Sequence, residues 1–300
     1  MRIGTMVSVT DSSLAGAMKQ AQRAQEIGFA TFWLPNIFGI DAITGCALVG
    51  QQVERIEFGT AVVPTYPRHP VALAQQALTA AAATGGRFTL GIGLSHKIVI
   101  EDMFGLDYSK PARHMREYLE VLGPLLRGQP VEYRGEEYRV KTSLNVPGAT
   151  RVPLLVAALG PVMLGIAGRL TDGTITWMTG PRTLADHITP TIGKAARAAG
   201  RPEPRIVAGL PIALCRDPAA AREKMAKAFE IYGMLPSYRA MLDREGAVSP
   251  GDVGIVGDEA ALREQLGRLR DAGVTDLDAI VTAVEEGSEA RTFEFLASWR

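Results

Sequence analysis

The residues of this chain best able to do chemistry sit in short stretches that follow apolar runs. Gly91-Ile92-Gly93 leads directly to Ser95 and His96. Two glycines so close together let a backbone turn tightly or let a ligand approach it. An imidazole just beyond them titrates within reach of neutral pH, so His96 is a candidate general acid or base, the plainer reading being a loop histidine bonded to a backbone group. A dinucleotide-binding fingerprint is rejected, because its third glycine falls on His96 and no helix opens there. A hydrolase nucleophile elbow is rejected as well, since Ser95 lacks the flanking glycines. Ala157-Ala158-Leu159-Gly160 precedes Pro161, which is suited to the first position of a helix. Small residues before a helix N-terminus leave N–H groups open to an anion such as a cofactor phosphate, or simply make a tight turn. Trp177-Met178-Thr179-Gly180 ends another apolar run, and Trp177 either walls a pocket or belongs to the core. His69 is expected to cap or orient the helix that follows it, while His114 and His187 lie in helical patterns and read as structural. The four histidines suggest no metal cluster.

These stretches need a scaffold that brings strand ends together. The central one, Ile56 to Ser95, reads as strand, loop, helix and strand, with Pro70 starting the helix and Gly85-Gly86 stopping it. The same cycle recurs along the chain. Strands are predicted over Met1–Ser8, Phe29–Leu34, Ile56–Val63, the RFTLGIGLS run, Pro153–Ala158, Gly173–Met178, Arg205–Cys215 and Leu277–Ala283. Helices are expected from about Leu14 to Ala24, Asp41 to Val53, Pro70 to Thr84, Pro111 to Arg127, Pro161 to Leu170, Leu184 to Ala199, Glu259 to Ala272 and Thr292 to Trp299. Eight such units close into a single (β/α)8 barrel spanning 1–300, with an open doubly wound sheet as the runner-up. Two additions are expected outside the repeat: a hairpin at about 131–140, where VEYRGEEYRV alternates around Gly135, and an irregular, partly helical insertion at about 217–254. A long irregular loop is expected from His96 to about Lys110.

The totals narrow the class of partner. Lys plus Arg and Asp plus Glu are both 32, so the net charge is zero and no basic block marks a nucleic-acid or membrane partner. Cys46 and Cys215 stand alone, as expected for core residues of a reduced, cytoplasmic protein. The start MRIGTMVSV lacks a secretory signal, and the apolar stretch Pro153–Leu170 is too broken by Gly and Pro to be a membrane span.

The stretches GTAVVPTYPRHP, RFTLGIGLSH, VPLLVAALGPVMLGIAGRLTDGTI and DEAALREQLGRLRDAGV resemble the luciferase-like superfamily, specifically its coenzyme F420-dependent oxidoreductase branch. The resemblance covers nearly the whole chain. It implies a barrel with the cofactor at the strand C-termini. By position, Ala61, Val62 and Val63 would form the bulge after the third strand, often a non-proline cis peptide, that supports the deazaflavin from behind. Gly91, Gly93 and Ser95 would line the cofactor, and Ala157, Ala158, Leu159 and Gly160 would hold its phosphate. His96 falls where the sugar-phosphate dehydrogenase of this family has a carboxylic acid. That enzyme has an Asp-His pair after the second strand, where this chain has Pro35-Asn36. It also binds its substrate with lysines near the later strand ends, where this chain has only Arg182. The resemblance therefore points away from a sugar phosphate.

The expectation is an F420-dependent oxidoreductase moving a hydride between the deazaflavin and a small organic substrate. His96 would transfer a proton or orient the substrate, Asn36 would assist by hydrogen bonding, and Trp177, Thr179 and Arg182 would line the substrate pocket. A homodimer is expected. The alternatives are an FMN-dependent monooxygenase of the same superfamily and a non-catalytic deazaflavin- or flavin-binding protein.

Overall fold

The structure is a computed structural model that describes residues 1–8 and 11–299. Among them, eight parallel strands close a barrel: β1 (Arg2–Met6), β2 (Thr31–Leu34), β3 (Glu57–Thr60), β4 (Phe88–Gly93), β5 (Leu154–Val156), β6 (Gly173–Trp177), β7 (Arg205–Leu214) and β8 (Asp276–Val281). Each pairs with the next in sequence, and β8 pairs back onto β1 with Gly4 opposite Asp278. The eight predicted strands are these eight.

Local chemistry accounts for the helices between them. Ser13 caps Leu14–Glu26 by accepting from Gly16 N–H, and Ala17, Ala21 and Ala24 form its buried stripe. Asp41 does the same for Ala42–Gly50. Pro70 opens Pro70–Ala83 behind His69, whose Nδ1 accepts from Val71 N–H at 3.3 Å, so His69 is the expected cap. Gly85 and Gly86, both at positive φ, end that helix.

Departures from the sequence reading lie outside the barrel repeat. The span after His96 contains a π-helical turn, Ile98–Met103, rather than irregular loop. The insertion is mostly helical, with Pro218–Ala228, Glu230–Met234 and Pro236–Glu245, because proline opens each of the two longer helices. A short strand, Ile255–Gly257, extends beside the upper half of β7. The hairpin pairs Val131–Arg134 with Arg139–Thr142. Among the described residues no helix is long and apolar enough to cross a membrane.

Inside the barrel, side chains stack in levels. At the N-terminal end Arg205 binds Glu57 at 2.6 Å and Asp276 at 2.7 Å, and Arg2 reaches both carboxylates from beside them. Burial pushes the Glu57 carboxyl upward, but Arg205, Thr89 and Arg2 together hold it below the usual glutamate range. Above this lies an apolar level of Trp33, Leu155, Ile175 and Val207. Met6, Ala61, Val62 and Ala157 pack on its upper side and are half-buried, so they form the floor of the mouth.

Candidate active site

The mouth is shaped by the end of β3. There the chain leaves the ladder at Ala61–Val62, joined by a non-proline cis peptide, and rejoins it when Val63 and Pro64 pair with Ile92 and Gly93 of β4. The Thr60 hydroxyl bridges the departure, donating to Gly91 C=O at 2.8 Å and accepting from Gly91 N–H at 2.9 Å. A Cβ on Gly91 would lie 2.0 Å from the Thr60 carbonyl oxygen, and one on Gly93 would lie 2.7 Å from Val62 Cγ2. The two glycines are therefore required by the bulge itself. Both are buried, so their first role is to admit the Ala61–Val62 segment, which presents the half-buried surface. Val63 is wholly buried and anchors the segment.

Beyond β4, Ser95 adopts φ of +61°, which turns the chain sharply at the strand end. His96 follows, and its carbonyl accepts from Val99 and Ile100 N–H at the start of the π-helical turn. Burial lowers its imidazole pKa, so the ring is neutral at neutral pH. Its neighbour is Tyr238 of the insertion, with ring centroids 5.8 Å apart. Asn36 is not brought to His96 by a hydrogen bond. Its Oδ1 accepts from Ala42 N–H at 3.0 Å, which makes it first a brace for the helix start.

At the end of β5, Ala157 faces the mouth half-buried, Ala158 is turned into the core, and Gly160 is exposed. Helix Pro161–Leu170 begins here with no side-chain cap, and a Cβ on Gly160 would meet nothing within 4 Å. The start of the next helical segment is different. Glu245 of the insertion accepts from Arg182 N–H at 3.1 Å and Thr183 N–H at 2.7 Å, so an internal carboxylate already fills that position.

Of the three expected pocket residues only Trp177 faces the mouth. Thr179 is buried and donates to the Trp177 carbonyl at 3.2 Å, while the Arg182 side chain is 68% exposed and turns toward Asp186. The insertion supplies the missing wall. Phe229 and Tyr232 meet Trp177 edge-on at 5.5 and 5.6 Å, and Tyr232 meets Tyr238 at 5.1 Å. An unbroken aromatic line thus runs from the end of β6 to His96. The sequence reading assigned Tyr232 and Tyr238 no role, because nothing in a helical insertion says which strand end it will cover.

Two further features bear on where the chemistry lies. Asp278 on β8 is fully buried, and neither carboxylate oxygen has a hydrogen-bond partner. Its strand neighbours are Gly4 and Gly209, and Trp177 pairs with Gly209 on the far side. Desolvation pushes the Asp278 carboxyl up to about 8. An acid set in the apolar run LDAIV was the available signal for it. A cavity of about 750 Å³ lies apart from the mouth, between the insertion and helix Glu259–Asp271, and is lined in part by Cys215, Arg222, Glu245 and Gln265. Three of its carboxylates hold the fold together: Glu245 caps the turn at Arg182, Asp252 accepts from Ser249 N–H, and Asp258 caps Ala261. The candidate chemistry therefore stays at the mouth. Among the described residues no group of His, Cys, Asp and Glu could hold a metal ion.

The profile of the luciferase-like monooxygenase family matches residues 1–281, nearly the whole barrel. The chain belongs to that family. It is an enzyme fold whose members include flavin and deazaflavin oxidoreductases. Among relatives, Rv3520c of Mycobacterium tuberculosis, whose name assigns it provisionally to the coenzyme F420-dependent oxidoreductases, is 30% identical over 173 residues. That match covers 53% of this chain and 50% of the relative, so the chain spans half the length of that protein. The 5,10-methylenetetrahydromethanopterin reductase of Methanopyrus kandleri is 26% identical over 303 residues, covering 85% of each. The solved structure of the coenzyme F420-dependent tetrahydromethanopterin reductase from Methanopyrus kandleri superimposes with a TM-score of 0.83 at 22% identity, covering 99% of this chain and 97% of that one. At that identity the likeness speaks for the fold.

Within the luciferase-like barrel, the residues that converge on the mouth are Ala61, Val62, Ala157, Gly160, His96 and Trp177, each at or just after a strand C-terminus. This is the end where barrel enzymes carry their active sites.

Proposed function

We propose that this protein is a coenzyme F420-dependent oxidoreductase that moves a hydride between the deazaflavin and a small organic substrate. The observation that carries the reading is the pairing of a small-residue floor with an open helix start. Ala61, Val62 and Ala157 leave room for a flat ring system, and Gly160 with the uncapped start of Pro161–Leu170 offers N–H groups to a phosphate. The donor set thus suits a planar cofactor with an anionic tail. The name of the relative Rv3520c favours F420 as that cofactor.

The bound deazaflavin would supply the hydride chemistry. The chain would supply placement and a proton route. Val62 and Ala61 would set the height of the ring, and the aromatic wall would exclude water from one side. His96, kept neutral by burial, would take a proton from the substrate or return one to it.

Fluorescence titration with F420, set beside absorbance titration with FMN, tests the reading. Saturable F420 binding at micromolar concentration or below, with FMN much weaker, is the expected result. Preference for FMN would move the protein to the monooxygenases, and F420 binding with no hydride transfer to any acceptor would make it a carrier.

A further inference from the structure

The same mouth speaks to the substrate, in an argument that rests on the F420 reading for the cofactor's place. Trp177, Phe229, Tyr232 and Tyr238 form one wall through edge contacts of 5.1 to 5.6 Å, and His96 closes its far end. Apolar side chains also stand exposed in the segments that follow strand C-termini. Phe38 is 64% exposed after β2, Met103 is 59% exposed after β4, and Met234 is 71% exposed in the insertion. Exposed apolar residues scattered singly are ordinary, but several at the end that carries the chemistry indicate an apolar ligand.

The charges agree. Arg68 is held by Asp41, Lys97 lies 3.6 Å from Glu101, and Arg182 lies 3.9 Å from Asp186. An anionic substrate would have to displace a carboxylate from Lys97 or Arg182, and Arg68, held by Asp41 through Nη2, keeps only its buried Nη1 without a partner. The wall does offer one polar handle. Trp177 Nε1–H is buried with no acceptor at hydrogen-bonding distance; the nearest oxygen is the Tyr232 phenol, raised by burial and lowered in part by this longer contact with the indole N–H. A buried donor without a partner is the place for a single ligand oxygen.

We propose that the substrate is a neutral, apolar organic molecule carrying one hydrogen-bond acceptor oxygen, packed on the Trp177–Tyr232–Tyr238 wall with that oxygen toward Trp177 Nε1. Phosphorylated and carboxylated metabolites find no Lys or Arg among the side chains of this wall.

The probes are 2-cyclohexen-1-one, a neutral cyclic enone, and glucose 6-phosphate, a polar dianion. Each is titrated by calorimetry into protein with F420 loading confirmed, and into cofactor-free protein. The expected result is saturable enone binding without saturable sugar phosphate binding, and an enone affinity lowered about tenfold in both Trp177→Phe and Tyr238→Ala. Trp177→Phe keeps an aromatic ring but removes the N–H, and Tyr238→Ala lies in the insertion outside the barrel core, so both variants are expected to fold. Tighter binding of glucose 6-phosphate than of enone, or enone affinity unchanged in both variants, overturns the proposal. If F420 itself does not bind, the cofactor reading falls. The cofactor-free titration then decides the substrate class by the same two criteria.

Discussion

The imidazole of His96 stands 5.8 Å from the ring of Tyr238, so the loop after β4 and the insertion after β7 meet over the barrel mouth. This contact places His96 in a partly dry setting, and burial accordingly lowers its pKa. His96→Ala is expected to reduce kcat by about 100-fold or more, the usual effect of losing a positioned acid–base group. F420 affinity should change little. Because the lowered pKa keeps the ring neutral, wild-type activity that uses the free base should fall only at pH below the ordinary histidine value of about 6.5. A pH profile of kcat checks this, and unchanged turnover in the variant removes His96 from the mechanism.

Gly91 and Gly160 should respond in opposite ways to alanine. A Cβ at Gly91 meets the Thr60 carbonyl oxygen at 2.0 Å, whereas one at Gly160 meets nothing within 4 Å. Gly91→Ala is expected to destabilise the fold by about 1–3 kcal/mol through overpacking and displacement of the bulge. Gly160→Ala should stay within about 0.5 kcal/mol in stability while weakening F420 binding. Urea unfolding together with the F420 titration separates the two effects.

Asp278 makes the stability depend on pH in a stated direction. Its folded pKa is raised to about 8, against about 3.9 in an unfolded chain. Between those values the native protein holds a proton that the unfolded chain has released. Its contribution is therefore full below about pH 4 and is lost as pH rises toward 8, at about 1.4 kcal/mol per pH unit. Asp278→Asn should flatten the fall in stability between pH 5 and 8. Identical slopes for the two proteins in urea unfolding would show that Asp278 does not titrate there.

Arg205 is the counter-charge for two carboxylates at the closed end of the barrel, one of them, Asp276, only 1% exposed. Arg205→Ala leaves both without their main partner. A loss of about 3–5 kcal/mol is expected, the cost of an uncompensated buried charge. Glu57 adds an acid limit with the opposite sign to Asp278. Its folded pKa is lowered, so its contribution is present above the usual glutamate value of about 4.3 and is lost as pH falls through the depressed one. Unfolding curves of wild type and variant at pH 7 and pH 4 measure both effects.

The barrel was legible in the chain because its signals are local. Apolar runs of strand length, Pro70 and Pro161 at helix starts, and Gly28 and Gly85-Gly86 at helix ends act within a few residues of themselves. The resemblance likewise indicated the bulge at Ala61–Val62, where the structure has its cis peptide.

What depended on the tertiary structure is contact between residues distant in the chain. Gly91 and Gly93 read as lining for a ligand, yet their reason is the β3 bulge that presses on them across the sheet. Asn36 read as a catalytic partner and braces Ala42, and Arg182 read as a pocket cation and faces solvent beside Asp186. An acid in the apolar run LDAIV marks Asp278, but not its isolation, which follows from Gly4 and Gly209 standing on either side and Trp177 beyond. The aromatic wall is decided the same way, since helical periodicity gives Tyr232 and Tyr238 a face but not the strand ends they will cover. Element type follows from short-range sterics and hydrogen bonding, whereas the site is set by packing between elements, which a linear sequence does not display.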